Sequence, residues 1–211
     1  MKLFSAPGTC STAMHIALEW IGKPYEVEHL DHAAMKAPDY LELNPSGVVP
    51  TLVDGDMALP EGMAILLYLV DQHPDAKIGP APDSAERKDL HRWLAYLTGT
   101  LHPYFWLHFT PMRFTVAPEG QPPVQAASHI LIDKALTQID QHLEGRNWIV
   151  GDRKSVADAF LYPMASWGYD LDKPTSAYPN IDRVLRKLAS DPAVQKVHEM
   201  QGTSARVDLA A

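Results

Sequence analysis

Cys10 is the sole cysteine of the chain. It follows the breaker pair Pro7-Gly8 and directly precedes a helical pattern beginning near Ser11. A helix start offers unpaired amides and a partial positive charge, which favour thiolate over thiol. The run Cys10-Ser11-Thr12-Ala13 is not Cys-x-x-Cys, so one chain holds no two-thiol redox cycle. The Ser11 hydroxyl suits a hydrogen bond to a bound thiolate, and it suits a helix cap equally well. An isolated cysteine also fits a buried structural role.

Two further segments carry chemistry. In Asn44-Pro45-Ser46-Gly47-Val48-Val49-Pro50-Thr51-Leu52 a Val-Pro pair enters a strand just after a turn, although proline removes a ladder donor. A cis Val49-Pro50 bond would present the Val49 N–H and C=O in a fixed direction, able to clamp an extended peptide as an added strand does. Pro60-Glu61-Gly62 opens an apolar helix, where free amides suit a carboxylate and Glu61 suits an ammonium group. Together these are a thiol site, a peptide-backbone clamp and a clamp for an amino-acid end. Ten histidines are present, but His29 with His32, or His102 with His108, lack a third ligand and the His-Glu-x-x-His spacing, so no metal site is expected.

The elements that must hold these groups follow from periodicity. Lys2 to Ser5 reads as a strand. Ala13, Ile16, Ala17, Trp20 and Ile21 form one face of a helix closed by Gly22, and Tyr25 to Leu30 reads as a strand again. A short helix is expected around Asp39 to Leu43. Asp54-Gly55 between two short apolar runs predicts a hairpin, since both residues tolerate positive φ. Glu61 to Asp71 is apolar nearly all round and predicts a helix buried on most sides. Residues 74–83 hold Pro74, Gly79, Pro80 and Pro82, a linker composition. Beyond them every pattern is helical. The stripes are Leu90, Trp93, Leu94, Leu97 and Leu101, then Ile132, Ala135, Leu136, Ile139 and Leu143, then Ile181, Val184, Leu185 and Leu188. Ser155 to Asp158 has the capping-box pattern, and Asp191-Pro192 opens a last helix. The expected division is an α/β unit at 1–76, a linker at 77–84 and an all-helical unit at 85–211.

The 211 residues carry 18 Lys and Arg against 26 Asp and Glu, a formal net charge of −8. An acidic chain with no basic cluster is a poor nucleic-acid binder. The longest apolar run, Met63 to Val70, is far short of a membrane span, and the first residues lack an apolar stretch of signal length. One cysteine excludes an internal disulfide. A soluble, cytoplasmic protein is expected, without membrane or nucleic-acid partners.

The three chemical segments, in this order, resemble the glutathione S-transferase superfamily, most closely its bacterial beta class. The resemblance rests on Pro7-Gly8-Thr9-Cys10-Ser11 with His15 to Leu18, on Asn44 to Leu52, on Glu61 to Ile65 with Tyr68-Leu69, and on Leu101-His102 and Ser155 to Leu161. It covers essentially the whole chain. It implies a thioredoxin-like N-terminal domain, an all-α C-terminal domain, a homodimer, and glutathione as co-substrate without a metal. Carried over by position, Cys10, Ser11 and His102 stand at the thiol. Val49 pairs with the cysteinyl backbone of glutathione, with Pro50 as the cis-proline. Glu61 and Gly62 grip the γ-glutamyl end, Gly62 replacing a common serine, and Lys36 meets a glutathione carboxylate. The aromatic run after His102 then supplies an apolar electrophile pocket from Phe105, Trp106 and Phe109, with Trp167, and Tyr169 more weakly.

Departures from the pattern qualify this picture. Pro103 stands where lysine is frequent, Ala95 and Gly99 where polar side chains often reach a partner subunit, Pro60 where a small hydroxyl residue is typical, and Pro163 inside a helix. The activity the resemblance implies is conjugation of the glutathione thiol to apolar electrophiles. Two alternatives stand beside it: a glutathione-dependent thiol–disulfide oxidoreductase or peroxidase using Cys10, and a non-catalytic glutathione-fold binding protein. Leu90, Trp93, Leu94 and Leu97 offer material for a dimer face, unless the stripe is internal to the helical bundle.

Overall fold

The computed structural model describes residues 1–207. Among these, β1 (Lys2–Ser5), β2 (Glu26–His29), β3 (Thr51–Asp54) and β4 (Met57–Pro60) form one mixed sheet in the order β2-β1-β3-β4. β1 pairs parallel with β2, Leu3 against Val27, and antiparallel with β3, Leu3 against Leu52. Side chains alternate across the sheet. Leu3 and Leu52 enter the main core, with α1 (Thr12–Ile21) and α3 (Gly62–Gln72). Phe4 points the other way into a small satellite core with Leu30 and Tyr40. Its ring lies 5.4 Å from that of Tyr40, on α2 (Pro38–Leu43).

Two local expectations change. The hairpin turns one residue later than the Asp54-Gly55 reading: Asp54 still pairs with Met57, so the turn residues are Gly55 and Asp56. Gly55 alone takes a positive φ, of 58°. And α3 is not buried on most sides, because Met63, Ala64, Leu67 and Tyr68 stay half-exposed on one face.

The helical part follows an irregular stretch. α4 (Arg87–Tyr96) and α5 (His102–Phe109) form one continuous rod joined by a π-helical turn at Leu97–Leu101, where the His102 amide bonds back to the Leu97 carbonyl. Pro103 explains it: with no N–H, and a ring that would press on the carbonyl four residues back, it cannot continue an ordinary α-turn. Then come α6 (Gln121–His142), α7 (Val156–Trp167), α8 (Pro179–Ala189) and α9 (Pro192–Gln201). Helix α7 is the pillar: Val156 to Ala165 are all buried, Pro163 among them. α1 packs on α7 and α9 as well as on the sheet, so Thr12 to Leu18 are buried all round rather than on one face.

The leucine stripe is internal. Leu90, Trp93, Leu94, Leu97 and Leu101 are each at most 1% exposed within the single chain. They are therefore not a dimer face, because the bundle already covers them. No helix among the described residues is long and apolar enough to cross a membrane.

Buried histidines make the fold acid-sensitive. His15 is fully buried; Gln201 from α9 meets its Nδ1 at 3.3 Å, and its Nε2 has no partner. Burial, with His29 nearby, pushes its pKa down to about 4, and burial does the same to His102. An unfolded histidine titrates near 6.5. Between these values the unfolded chain binds protons that the native chain refuses, so this stabilisation is complete above pH 6.5 and lost as pH falls to about 4. Urea midpoints are expected to drop steadily across that window. A midpoint flat from pH 7 to 4.5 would contradict the assignment.

Candidate functional site

Between the two halves lies a cleft of about 580 Å³, walled by Gly8 to Cys10, His32, Met35, Lys36, Gly47 to Val49, His102, Trp106, Phe109, Thr110, Arg113, Trp167 and Arg206. It thus gathers Cys10, Lys36, Val49, His102, Trp106, Phe109 and Trp167 from the residues singled out in the sequence. A second hollow of about 520 Å³, between Val70–Gly79 and Val150–Ser155, contains none of them.

Cys10 sits just before α1. Burial pushes its thiol up to about 12; the amides of Cys10 and Ser11 pull it down, and the Glu61 carboxylate adds to the rise. Desolvation thus outweighs the two amides at the helix start and favours the neutral thiol. Ser11 is corrected. It is fully buried, its Oγ accepting from the Ala6 amide at 3.0 Å and lying 2.7 Å from Ser5 Oγ and 2.6 Å from Thr9 Oγ1. That network staples the loop under Cys10 and turns the hydroxyl away from the cleft.

His102 opens α5 from the opposite wall. The indole N–H of Trp106 donates to His102 Nε2 at 3.2 Å. An indole nitrogen only donates, so Nε2 carries no proton and the neutral ring holds its hydrogen on Nδ1. Burial pushes the pKa down to about 4, so the ring stays uncharged at neutral pH. Trp106 is missing from any sequence account of this histidine; the signal was its i+4 spacing on a helix.

The loop before β3 is built to hold one shape. The Val49–Pro50 peptide is cis. The Val48 carbonyl accepts from Tyr40 Oη at 2.6 Å and Asn44 Nδ2 at 2.8 Å, while Thr51 Oγ1 lies 2.9 Å from Tyr40 Oη. Val49 faces the cleft and Pro50 is buried behind it. Lys36 Nζ donates to the Gly47 carbonyl at 2.7 Å, which pins the ammonium at the cleft edge. Gly47 has φ 58°, and a β-carbon there would meet Lys36 Nζ at 2.8 Å and the Met35 carbonyl at 2.9 Å.

Glu61 and Gly62 stand beside the cleft rather than in its wall. Glu61 is exposed, with φ 73°, a conformation a β-carbon resists. Its side chain caps no amide, so the first turn of α3 keeps its N–H groups open. A β-carbon at Gly62 would lie 2.6 Å from Met14 Cε, the free end of a flexible side chain.

Of the four aromatic residues expected in the electrophile pocket, Trp106, Phe109 and Trp167 line the cleft. Trp167 donates its indole N–H to the Gly8 carbonyl at 2.9 Å, tying α7 to the loop before Cys10. Phe109 is half-exposed and its ring meets Trp167 edge-on at 5.5 Å. Phe105, in contrast, has no exposed surface; it backs Trp167 at 5.3 Å and touches no ligand space. Helical spacing put its side chain on the core face. Tyr169 is not in the wall and hydrogen-bonds Asp182. The cleft also contains His32, Arg113 and Arg206, which no periodic pattern marked. Among the described residues no three His, Cys, Asp or Glu side chains converge as metal ligands.

A thioredoxin-like sheet domain, a helical domain behind it and a thiol at their junction define the class. Residues 1–71 match the glutathione S-transferase N-terminal domain model and residues 97–192 the C-terminal one. The chain belongs to the glutathione S-transferase family. It is 35% identical over 206 residues to glutathione S-transferase GST-4.5 of Xanthomonas campestris, covering 96% of this chain and 99% of that one. Two solved structures resemble it with a TM-score of 0.85. One is a sphingomonad glutathione S-transferase complexed with glutathione, 36% identical, and the other the bacterial beta class enzyme of Sphingomonas chungbukensis, 35% identical. Each alignment covers 96% of this chain and 99% of the other.

Proposed function

We propose that the chain transfers glutathione to an electrophile through two uncharged donors, Cys10 and His102, that hold the glutathione sulfur as its thiolate. The observation that carries this reading is the placement of Cys10 and His102 in the wall of one cleft. Burial favours the neutral form of both, and the Trp106 indole on Nε2 leaves the His102 hydrogen on Nδ1. Both can donate to an anionic sulfur, and neither competes with it as a base or nucleophile. The Val49 backbone supports the cysteinyl residue, Lys36 a carboxylate, and the open amides of α3 with Glu61 the γ-glutamyl end. The glutathione-complexed sphingomonad relative supports glutathione as the bound thiol. In the reaction the sulfur pair forms the new S–C bond, a leaving group such as halide departs with its own pair, and the thiol proton has already gone to solvent. Holding both reactants together supplies the rest of the rate.

A protonated Cys10 argues against the oxidoreductase alternative, in which Cys10 must itself attack. Cys10→Ser keeps a hydrogen-bond donor and is expected to retain aryl-halide conjugation within about tenfold, the loss of one imperfect hydrogen bond. Loss of more than a thousandfold, with folding intact, would make Cys10 the nucleophile and overturn the reading. Glutathione binding by calorimetry with rates no faster than the uncatalysed reaction would leave the non-catalytic alternative.

The division at 1–76, 77–84 and 85–211, a homodimer and a cytoplasmic setting belong to the same proposal. With the leucine stripe internal, the pairing is assigned to the half-exposed Met63, Ala64, Leu67 and Tyr68 of α3, with exposed Ala95 and Gly99. Light scattering at micromolar concentration checks this, a monomer mass refuting it.

A further inference from the structure

The cleft wall is free of acid. Its lining includes Lys36, Arg113, Arg206 and His32 but no aspartate or glutamate, in a chain of net charge −8. The cations differ in what already occupies them. Arg206 is paired with Asp170, and Lys36 is bound to the Gly47 carbonyl on the side of the cleft formed by the sheet domain. Arg113 has no carboxylate partner among the described residues. Its guanidinium lies 4.6 Å over the Trp106 ring, on the side where Phe109, Thr110 and Trp167 form the apolar wall.

We infer that Arg113 selects the electrophile: the second substrate is an aromatic molecule bearing a carboxylate, its ring against Phe109 and Trp167 and its anion on Arg113. The inference rests on the conjugation reading above and narrows its substrate class. A guanidinium held over an indole is partly ordered beforehand, and its planar fork matches a carboxylate in two parallel hydrogen bonds. The absence of acids in the wall leaves no carboxylate there to compete with a ligand anion for Arg113. An electrophile that is apolar all over would leave the Arg113 donors to water.

The test compares two products of one reaction, S-(4-carboxy-2-nitrophenyl)glutathione and its neutral 4-carbamoyl counterpart, with free glutathione as reference. Calorimetry on the wild-type protein is expected to show the carboxylate conjugate bound about tenfold more tightly than the amide, the size of one charge-assisted contact near the surface. Arg113→Gln is expected to bring the ratio close to one, and Arg113→Lys to restore part of it. Arg113 is exposed, so neither change threatens the fold. Equal affinity for the two conjugates in the wild type, or a ratio untouched by Arg113→Gln, overturns the inference while leaving the conjugation reading in place. Weakening of free glutathione by the same factor as the conjugates would assign Arg113 to glutathione and also overturn it. No binding of glutathione at millimolar concentration would remove both readings together.

Discussion

Asp158→Ala is expected to cost about 3–5 kcal/mol of stability, among the largest effects of any single substitution in this chain. Asp158 is fully buried at the start of α7. Its carboxyl accepts from the Ile149 amide at 2.8 Å, the Ser155 amide at 2.9 Å and Ser155 Oγ at 3.0 Å. Alanine leaves all three donors buried without an acceptor and opens a cavity at the foot of the pillar that α1, α4 and α8 share. For a chain of this size the melting temperature should fall by roughly 8–15 °C. Burial pushes the Asp158 pKa up to about 6 against the pull of these donors. Much of the free energy gained from the hydrogen bonds is therefore spent on holding a charge in the core. Asp158→Asn, which keeps an acceptor oxygen without the charge, is expected to lose well under half as much. Equal losses for Ala and Asn would place the cost in the charge rather than in the stranded donors.

Glu61→Gln is expected to weaken glutathione binding by about 10- to 100-fold, the loss of a charge-assisted hydrogen bond to the ammonium of the γ-glutamyl end. Shape and backbone strain are unchanged by the substitution, so the loss reports the charge. A second readout separates this from misfolding. The Glu61 carboxylate contributes to the raised pKa of Cys10, so its removal should lower that pKa and speed alkylation of Cys10 at fixed pH. A variant with unchanged glutathione affinity and faster alkylation would place Glu61 near the thiol yet outside the glutathione grip.

What could be read from the sequence was whatever neighbours along the chain decide. The sheet and helix order, the capping box at Ser155, the opening of α9 at Asp191-Pro192 and the hairpin within one residue all follow from local spacing and turn chemistry. The three chemical segments were legible because each combines an element boundary with a residue type that suits it. The failures share a cause in contacts across space. Ser11 looked like a donor to a thiolate, yet Ser5 and Ala6 across the loop claim its hydroxyl. Cys10 looked activated by its helix start, yet depth of burial decides its proton. Phe105 lies in an aromatic run whose members diverge around a helix, and only packing shows which face is core. The π turn before His102 needed Pro103 to be read as a backbone constraint instead of a missing cation. Arg113 follows no period at all; its significance lies in the ring beneath it and in the carboxylates missing around it.

Activation by two neutral donors turns on the state of the bound sulfur. A free cysteine-type thiol ionises near 8.5. Ultraviolet difference titration of glutathione bound to Cys10→Ser protein, which lacks the competing protein thiol, follows ionisation of the glutathione thiol directly. The expected result is thiolate already present at neutral pH, with an apparent pKa at least one unit below the free value, moving back toward it when His102→Phe removes the Nδ1–H donor. A bound thiol that ionises only at the free value, while glutathione binds normally, would contradict the claim that two neutral donors activate it.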